Sequence, residues 1–174
     1  MTAPAPVPAP APAADERLHW EDFPAGSVRR FGGTTLTREA IVAFARDFDP
    51  QPFHLDEDAA RESLFGALCA SGWHTCALTM RMMCDAYLNR TASLGSPGLE
   101  NIRWLRPVYP GDTLQVAMTV LEARPMASRP TVGLVLQRWE VSNQREEPVM
   151  TMEGWGMLRR REPGTADSRP PAAG

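Results

Sequence analysis

LFGALCASGWHTCALTMRMMCDAYLNR occupies residues 64–90, and its periodicity decides how the rest of the chain is arranged. Ser71 offers a hydroxyl as N-cap, and Gly72 begins the first turn. Trp73, Cys76, Ala77, Met80, Met83, Cys84 and Tyr87 then recur at three- and four-residue steps. Ala70, Leu78, Met82 and Ala86, off that stripe, are apolar too. A helix apolar nearly all round is one that other elements cover, so this segment is expected at the centre of the domain.

Downstream of it the period changes from three or four to two. GLENIRWLRPV, DTLQVAMTVLEARP, TVGLVLQRWEVSN and EPVMTMEGWGMLRR read as strands separated by YPGD, PMASRP and NQREE, with Gly111 and Asp112 where a tight hairpin would need them. Upstream, LHWEDFPA is an aromatic-anchored lead-in and GSVRRFGGTTLT a short strand or extended segment. Thr37 caps REAIVAFARDF, in which Ala40, Ile41, Phe44, Ala45 and Phe48 keep helical spacing. That helix stops at Asp49, because the residue before a proline is pushed out of helical geometry. Asp56 caps a second short helix, EDAARES. Helices followed by three or four long antiparallel strands give an α+β class, with a sheet packed on one buried helix.

Composition narrows the chemistry. All 18 basic residues are Arg, which excludes Schiff-base, P-loop-lysine and lysine-base mechanisms, since each needs an amine. The net charge of −3 is dispersed along the chain and gives no reason to expect nucleic acid. Cys69, Cys76 and Cys84 match neither a disulfide framework nor a zinc pattern and read as free thiols on one helix. The N-terminal run MTAPAPVPAPAPAA lacks the basic start and apolar core of a secretory signal, and no segment is long and apolar enough to span a bilayer. The expectation is a soluble, cytoplasmic protein without membrane partners. Residues 1–16 and 161–174 are expected to be disordered tails around a domain over 17–160.

Between the two predicted helices stands FDPQPFH, residues 48–54. It sets an aspartate and one of the chain's three histidines on a short, proline-stiffened loop, where the two side chains can hold one water between them. Read singly, Asp49 is a helix stop, His54 a packed structural histidine and Asp56 a cap. His74, in the first turn of the central helix, reads as a structural residue covering the helix end. The Met80, Met82 and Met83 stripe reads as core, or as a flexible wall for an acyl chain.

Taken together, FARDFDPQPFHLDEDAA, LFGALCASGWH and ENIRWLRPVYPGDTL resemble the MaoC-like hydratases, relatives of the (R)-specific enoyl-CoA hydratases with a single hotdog fold. Asp49, His54 and Asp56 match that family's motif of an Asp, four intervening residues, a His and, two residues later, an Asp. The chain departs from it at Gln51-Pro52, where members commonly carry Asn-Pro, and at Ser71-Gly72, where many carry His-Gly.

The resemblance implies an antiparallel sheet wrapped around a long helix and reversible hydration of a trans-2-enoyl-CoA, or a related unsaturated acyl-CoA, to an (R)-3-hydroxyacyl-CoA. It implies Asp49 and His54 as catalytic residues, Ser71 and Gly72 at the oxyanion and substrate site, neither cofactor nor metal, and a homodimer or larger homo-oligomer. The start of the central helix is a sound place for an oxyanion, because its first N–H groups lack intrahelical partners and carry the positive end of the helix dipole. Arg81, Arg90, Arg103 and Arg106 are the candidates for the phosphates of coenzyme A. Two other readings stand beside this one. A hotdog acyl-CoA thioesterase would use an acidic residue in the central helix, where only Asp85 is available, near the wrong end. A catalytically silent acyl-CoA-binding subunit would keep the pocket without the chemistry.

Overall fold

The computed structural model describes residues 17–162; residues 1–16 and 163–174, most of the two expected tails, lie outside them. A 3-10 turn at Trp20–Asp22 leads into β1 (Val28–Thr35), and three helices follow: α1 (Arg38–Phe48), α2 (Pro52–Leu55) and α3 (Glu57–Arg61). The long α4 (Gly72–Ala86) precedes β2 (Gly98–Trp104), β3 (Thr113–Pro125), β4 (Val132–Ser142) and β5 (Pro148–Arg159).

The strands form one antiparallel sheet in the order β1-β3-β4-β5-β2. Strand alternation sends one residue in two toward α4. Met118 of β3 pairs with Trp139 of β4, which pairs with Met152 of β5; one layer on, Val116, Val141 and Met150 repeat the pattern. All six are at most 3% exposed, and burying a side chain of this kind contributes about 1.5–3 kcal/mol. Met82, Met83, Thr75 and Thr79 of α4 are also buried. At the helix end, the Trp139 Nε1–H donates to the Tyr87 hydroxyl at 3.3 Å, tying the C-terminus of α4 to the middle of the sheet. A sheet curved around one long helix is the single hotdog architecture.

Three differences from the sequence reading have long-range causes. The segment read as a short strand or lead-in is a full eight-residue strand, because β3 supplies it a partner. YPGD is a turn but no hairpin: β2 pairs with β5 and β3 with β1 and β4, so the turn hands the chain from the β2 edge of the sheet to the interior strand β3, next to the opposite edge. Finally, α4 is not covered all round. Trp73 and Met80 are 58% and 46% exposed, Trp73 meeting the edge strand of the sheet, edge-on to Trp104 of β2 at 5.6 Å. Among the described residues no helix is long and apolar enough to cross a membrane.

The lead-in is fixed by a close approach. The Trp20 indole lies flat on β4 at Gly133, where an added Cβ would come within 2.1 Å of the ring, and its Nε1–H donates to Leu134 O at 3.2 Å.

Candidate active site

The Thr37 hydroxyl accepts from the Ala40 N–H and starts α1, as a Thr N-cap should. Pro50 ends it: Asp49 leaves helical geometry at φ −152°, ψ 68°, while its N–H still donates to Ala45 O at 2.9 Å. Pro52 then opens α2 at its first position, where a missing N–H costs nothing. The stretch read as a stiff loop therefore contains a turn of helix, and this turn carries His54 back toward Asp49. Asp56 ends α2 and caps α3, its Oδ1 accepting from the N–H groups of Asp58 and Ala59 at 3.0 and 2.9 Å.

His54 is 5% exposed. Its Nδ1 lies 2.8 Å from Cys69 O. A carbonyl can only accept, so Nδ1 carries a proton, and in the neutral form of the ring Nε2 is left with its lone pair. Nε2 faces Asp49 Oδ2 at 3.5 Å. Both oxygens of that carboxylate have donors: the Ser71 hydroxyl donates to Oδ2 at 2.6 Å and the Gln51 Nε2 to Oδ1 at 2.7 Å. Burial pushes the Asp49 carboxyl upward. The hydrogen bonds from Ser71 and Gln51 and the facing His54 outweigh it, leaving the group below the usual carboxylate range.

Ser71 is nearly sealed, at 1% exposure, and its hydroxyl serves twice. While donating to Asp49 it accepts from the Trp73 N–H at 3.2 Å, capping α4. The Gly72 N–H, next in line at the helix start, is bonded to no acceptor among the described residues. Over the Gly72 Cα sits the Trp104 indole, from the end of β2. Its Nε1–H donates to Gly72 O at 2.9 Å, and an added Cβ would meet the ring at 2.5 Å. Glycine is thus required here for the approach of Trp104.

Asp49, Gln51, His54, Ser71 and Gly72 open on one cavity of about 460 Å³. Phe53, Phe65, Trp73 and Trp104 supply aromatic walls, with the Phe53 ring edge-on to the His54 imidazole at 4.6 Å. Charged and polar groups in a cavity lined largely by apolar side chains suit a ligand with a reactive polar head and a greasy tail.

Other candidates fall elsewhere. His74 does not line this cavity; it stacks on Phe44 of α1, 4.5 Å between centroids and 3° from parallel, with its buried Nδ1 unpartnered. Of the four arginines, Arg81 is engaged by Asp85 at 2.8 Å and Arg90 by Ala86 O at 2.6 Å. Arg106 lines the cavity and donates to Pro148 O at 2.8 Å; Arg103 sits on β2. Cys69 precedes α4, so only Cys76 and Cys84 share that helix. Gln51, Trp104 and the Cys69 carbonyl are contributors that the sequence reading did not name as site groups. Gln51 alone left a signal there, as the residue departing from Asn-Pro.

The family described as MaoC like domain matches residues 22–138. A MaoC-like dehydratase from Rhodospirillum rubrum superposes with a TM-score of 0.78 at 44% identity, covering 83% of this chain and 99% of that one. The uncharacterised protein YdeM of Bacillus subtilis is 26% identical over 140 residues, 80% of this chain and 98% of its own length. Mesaconyl-CoA hydratase of Cereibacter sphaeroides is 37% identical over 93 residues, which are 52% of this chain and 26% of that enzyme.

Proposed function

This chain belongs to the MaoC-like domain family, and on that premise we propose that it is a hydratase adding water reversibly to a trans-2-enoyl-CoA or related unsaturated acyl-CoA, with an (R)-3-hydroxyacyl-CoA as product. The observation that carries the reading is the His54 Nε2 facing Asp49 Oδ2 at 3.5 Å at the wall of an aromatic-lined cavity.

A water held between the two groups gives one proton to Nε2 as its oxygen bonds to C3 of the enoyl thioester. The C2–C3 π electrons move toward the carbonyl, whose oxygen becomes enolate-like and takes the Gly72 N–H at the positive end of α4. C2 then takes a proton from the imidazolium and the carbonyl re-forms, so one water is added and His54 returns to its starting state. Asp49 stays ionised throughout: it orients the water and stabilises the imidazolium. The Nδ1 bond to Cys69 O keeps the ring from rotating between the two transfers.

A second copy of the chain completes this reading. Trp73 and Met80 on α4, and Leu99, Trp104 and Leu105 on and after β2, are exposed apolar side chains, Trp73 and Trp104 meeting edge-to-face, and β2 is a sheet edge. Trp73, Trp104 and Leu105 also line the cavity, so a homodimer across this face would wall the acyl site with both subunits.

The test is loss of enoyl-thioester absorbance across a panel of acyl lengths, including an unsaturated dicarboxylic thioester, with free thiol followed in parallel. Hydration without thiol release supports the reading. Thiol release would identify a thioesterase, and saturable binding without product would identify a silent subunit. Asp85, the one carboxylate inside α4, is exposed and engaged by Arg81, which weighs against the thioesterase.

A further inference from the structure

Gln51 is the point at which the chain leaves its family's motif, and the hydration steps above make no use of it. Its backbone N–H donates to Asp49 O at 2.8 Å, folding the chain tightly around Pro50 so that residues 49 and 51 approach each other. The carboxamide then reaches Asp49 Oδ1 at 2.7 Å. The amide can face only one way here, since a carboxylate accepts and cannot donate: NH₂ toward Asp49, Oε1 away from it.

We propose that Gln51 is a positioning residue for Asp49, holding the carboxylate plane so that Oδ2 stays between Ser71 and His54. The rotation of an aspartate about its last bond is broad and nearly two-fold, so a single donor leaves the plane free to swing. Ser71 fixes one oxygen at 2.6 Å; Gln51 fixes the other at 2.7 Å. With both oxygens engaged, the lone pair of Oδ2 aimed at the water site keeps its direction. Neutral donors to an anion also favour its ionised form, as the lowered Asp49 carboxyl reflects. The side chain needs its full length for this. Asparagine is shorter by one C–C bond, roughly 1.5 Å, and from the same backbone would end short of Oδ1. The competing view is that an exposed two-residue contact does nothing measurable.

The kinetic part of the inference rests on the hydratase reading; the structural part does not, and the experiment separates them. Asp49 is followed by carboxyl-carbon NMR over a pH titration in the wild type, Gln51→Ala and Gln51→Glu, and kcat/KM is measured over the same range. Asp49 is expected to titrate at higher pH in Gln51→Ala, and higher again in Gln51→Glu, where a carboxylate replaces the donor. The acid limb of kcat/KM should move the same way, lowering the acid-side to alkaline-side ratio by about 3- to 10-fold. An unmoved Asp49 titration in both variants overturns the proposal even if hydration is robust. Absence of turnover in the wild type would instead sink the hydratase reading, while the NMR titration would still decide the role of Gln51.

Discussion

The Ser71 hydroxyl donates to Asp49 Oδ2 at 2.6 Å while accepting from the Trp73 N–H at 3.2 Å. One oxygen atom thus starts the central helix and holds the candidate carboxylate, which comes from an element 22 residues earlier. Fold and site are coupled there.

Ser71→Ala should therefore have two separable effects. Losing the cap should cost about 1 kcal/mol in denaturant unfolding. Losing a donor to a depressed carboxyl should raise the Asp49 titration toward its usual 3.8. The sign follows from that depression: stability and activity due to ionised Asp49 are present above the unfolded-state pKa and disappear as pH falls through the folded one. The acid limb of kcat/KM should move to higher pH. Ser71→Thr, which keeps a hydroxyl, should restore most of both.

Gly72→Ala should be destabilising, because its Cβ would lie 2.5–2.9 Å from three atoms of the Trp104 ring. The expected loss is about 1–3 kcal/mol, as for other overpacked sites, accompanied by a change in tryptophan fluorescence as the indole is displaced. In the Trp104→Leu background the same alanine should cost much less. Equal costs in the two backgrounds would mean that Trp104 is not what requires glycine.

His74 should make the protein acid-sensitive. Burial holds its imidazole below 6.5, so on acidification the unfolded chain takes up this proton first. Its contribution to stability is complete above about 6.5 and is lost progressively below it, until the folded-state value is passed. His74→Phe retains an aromatic ring against Phe44 and should flatten the decline between about pH 7 and pH 5 relative to wild type. An unchanged slope in urea melts across that range would assign the acid sensitivity to other groups.

Cys69 should be the slowest thiol. It is 1% exposed and burial pushes it up to about 11, so at neutral pH it has almost no thiolate to react. Disulfide-reagent labelling should modify half-buried Cys84 first and Cys69 only as fast as the protein opens. Rapid labelling of Cys69 in the native state would show that the carbonyl holding His54 belongs to a mobile segment.

What could be read from the sequence was what is encoded locally. Thr37, Asp56 and Ser71 cap the helices expected of them, because a cap acts within three residues of itself. Their Asp and His neighbours come within 3.5 Å of each other, and family spacing pointed to that pair. β1 was underread because its partner, β3, lies more than 75 residues away in the chain. The YPGD turn was misread as a hairpin because pairing partners have no letter of their own. The same holds in the site. The Cys69 contribution is a backbone carbonyl, which any residue would offer, and the use of Gly72 became clear only when Trp104, 32 residues on, was seen against it. The exposed stripe of α4 was legible as apolar, and only the packed sheet revealed which side it leaves open.

The most direct measurement is kcat/KM for hydration of a short trans-2-enoyl-CoA by the wild type, Asp49→Asn and His54→Gln, each shown to be folded. The account predicts turnover by the wild type to the (R)-3-hydroxyacyl product, and a fall of about 10²-fold or more in each variant, the scale of a positioned acid–base group. Turnover that survives both substitutions, or a folded wild type inert toward every enoyl thioester offered, would contradict it.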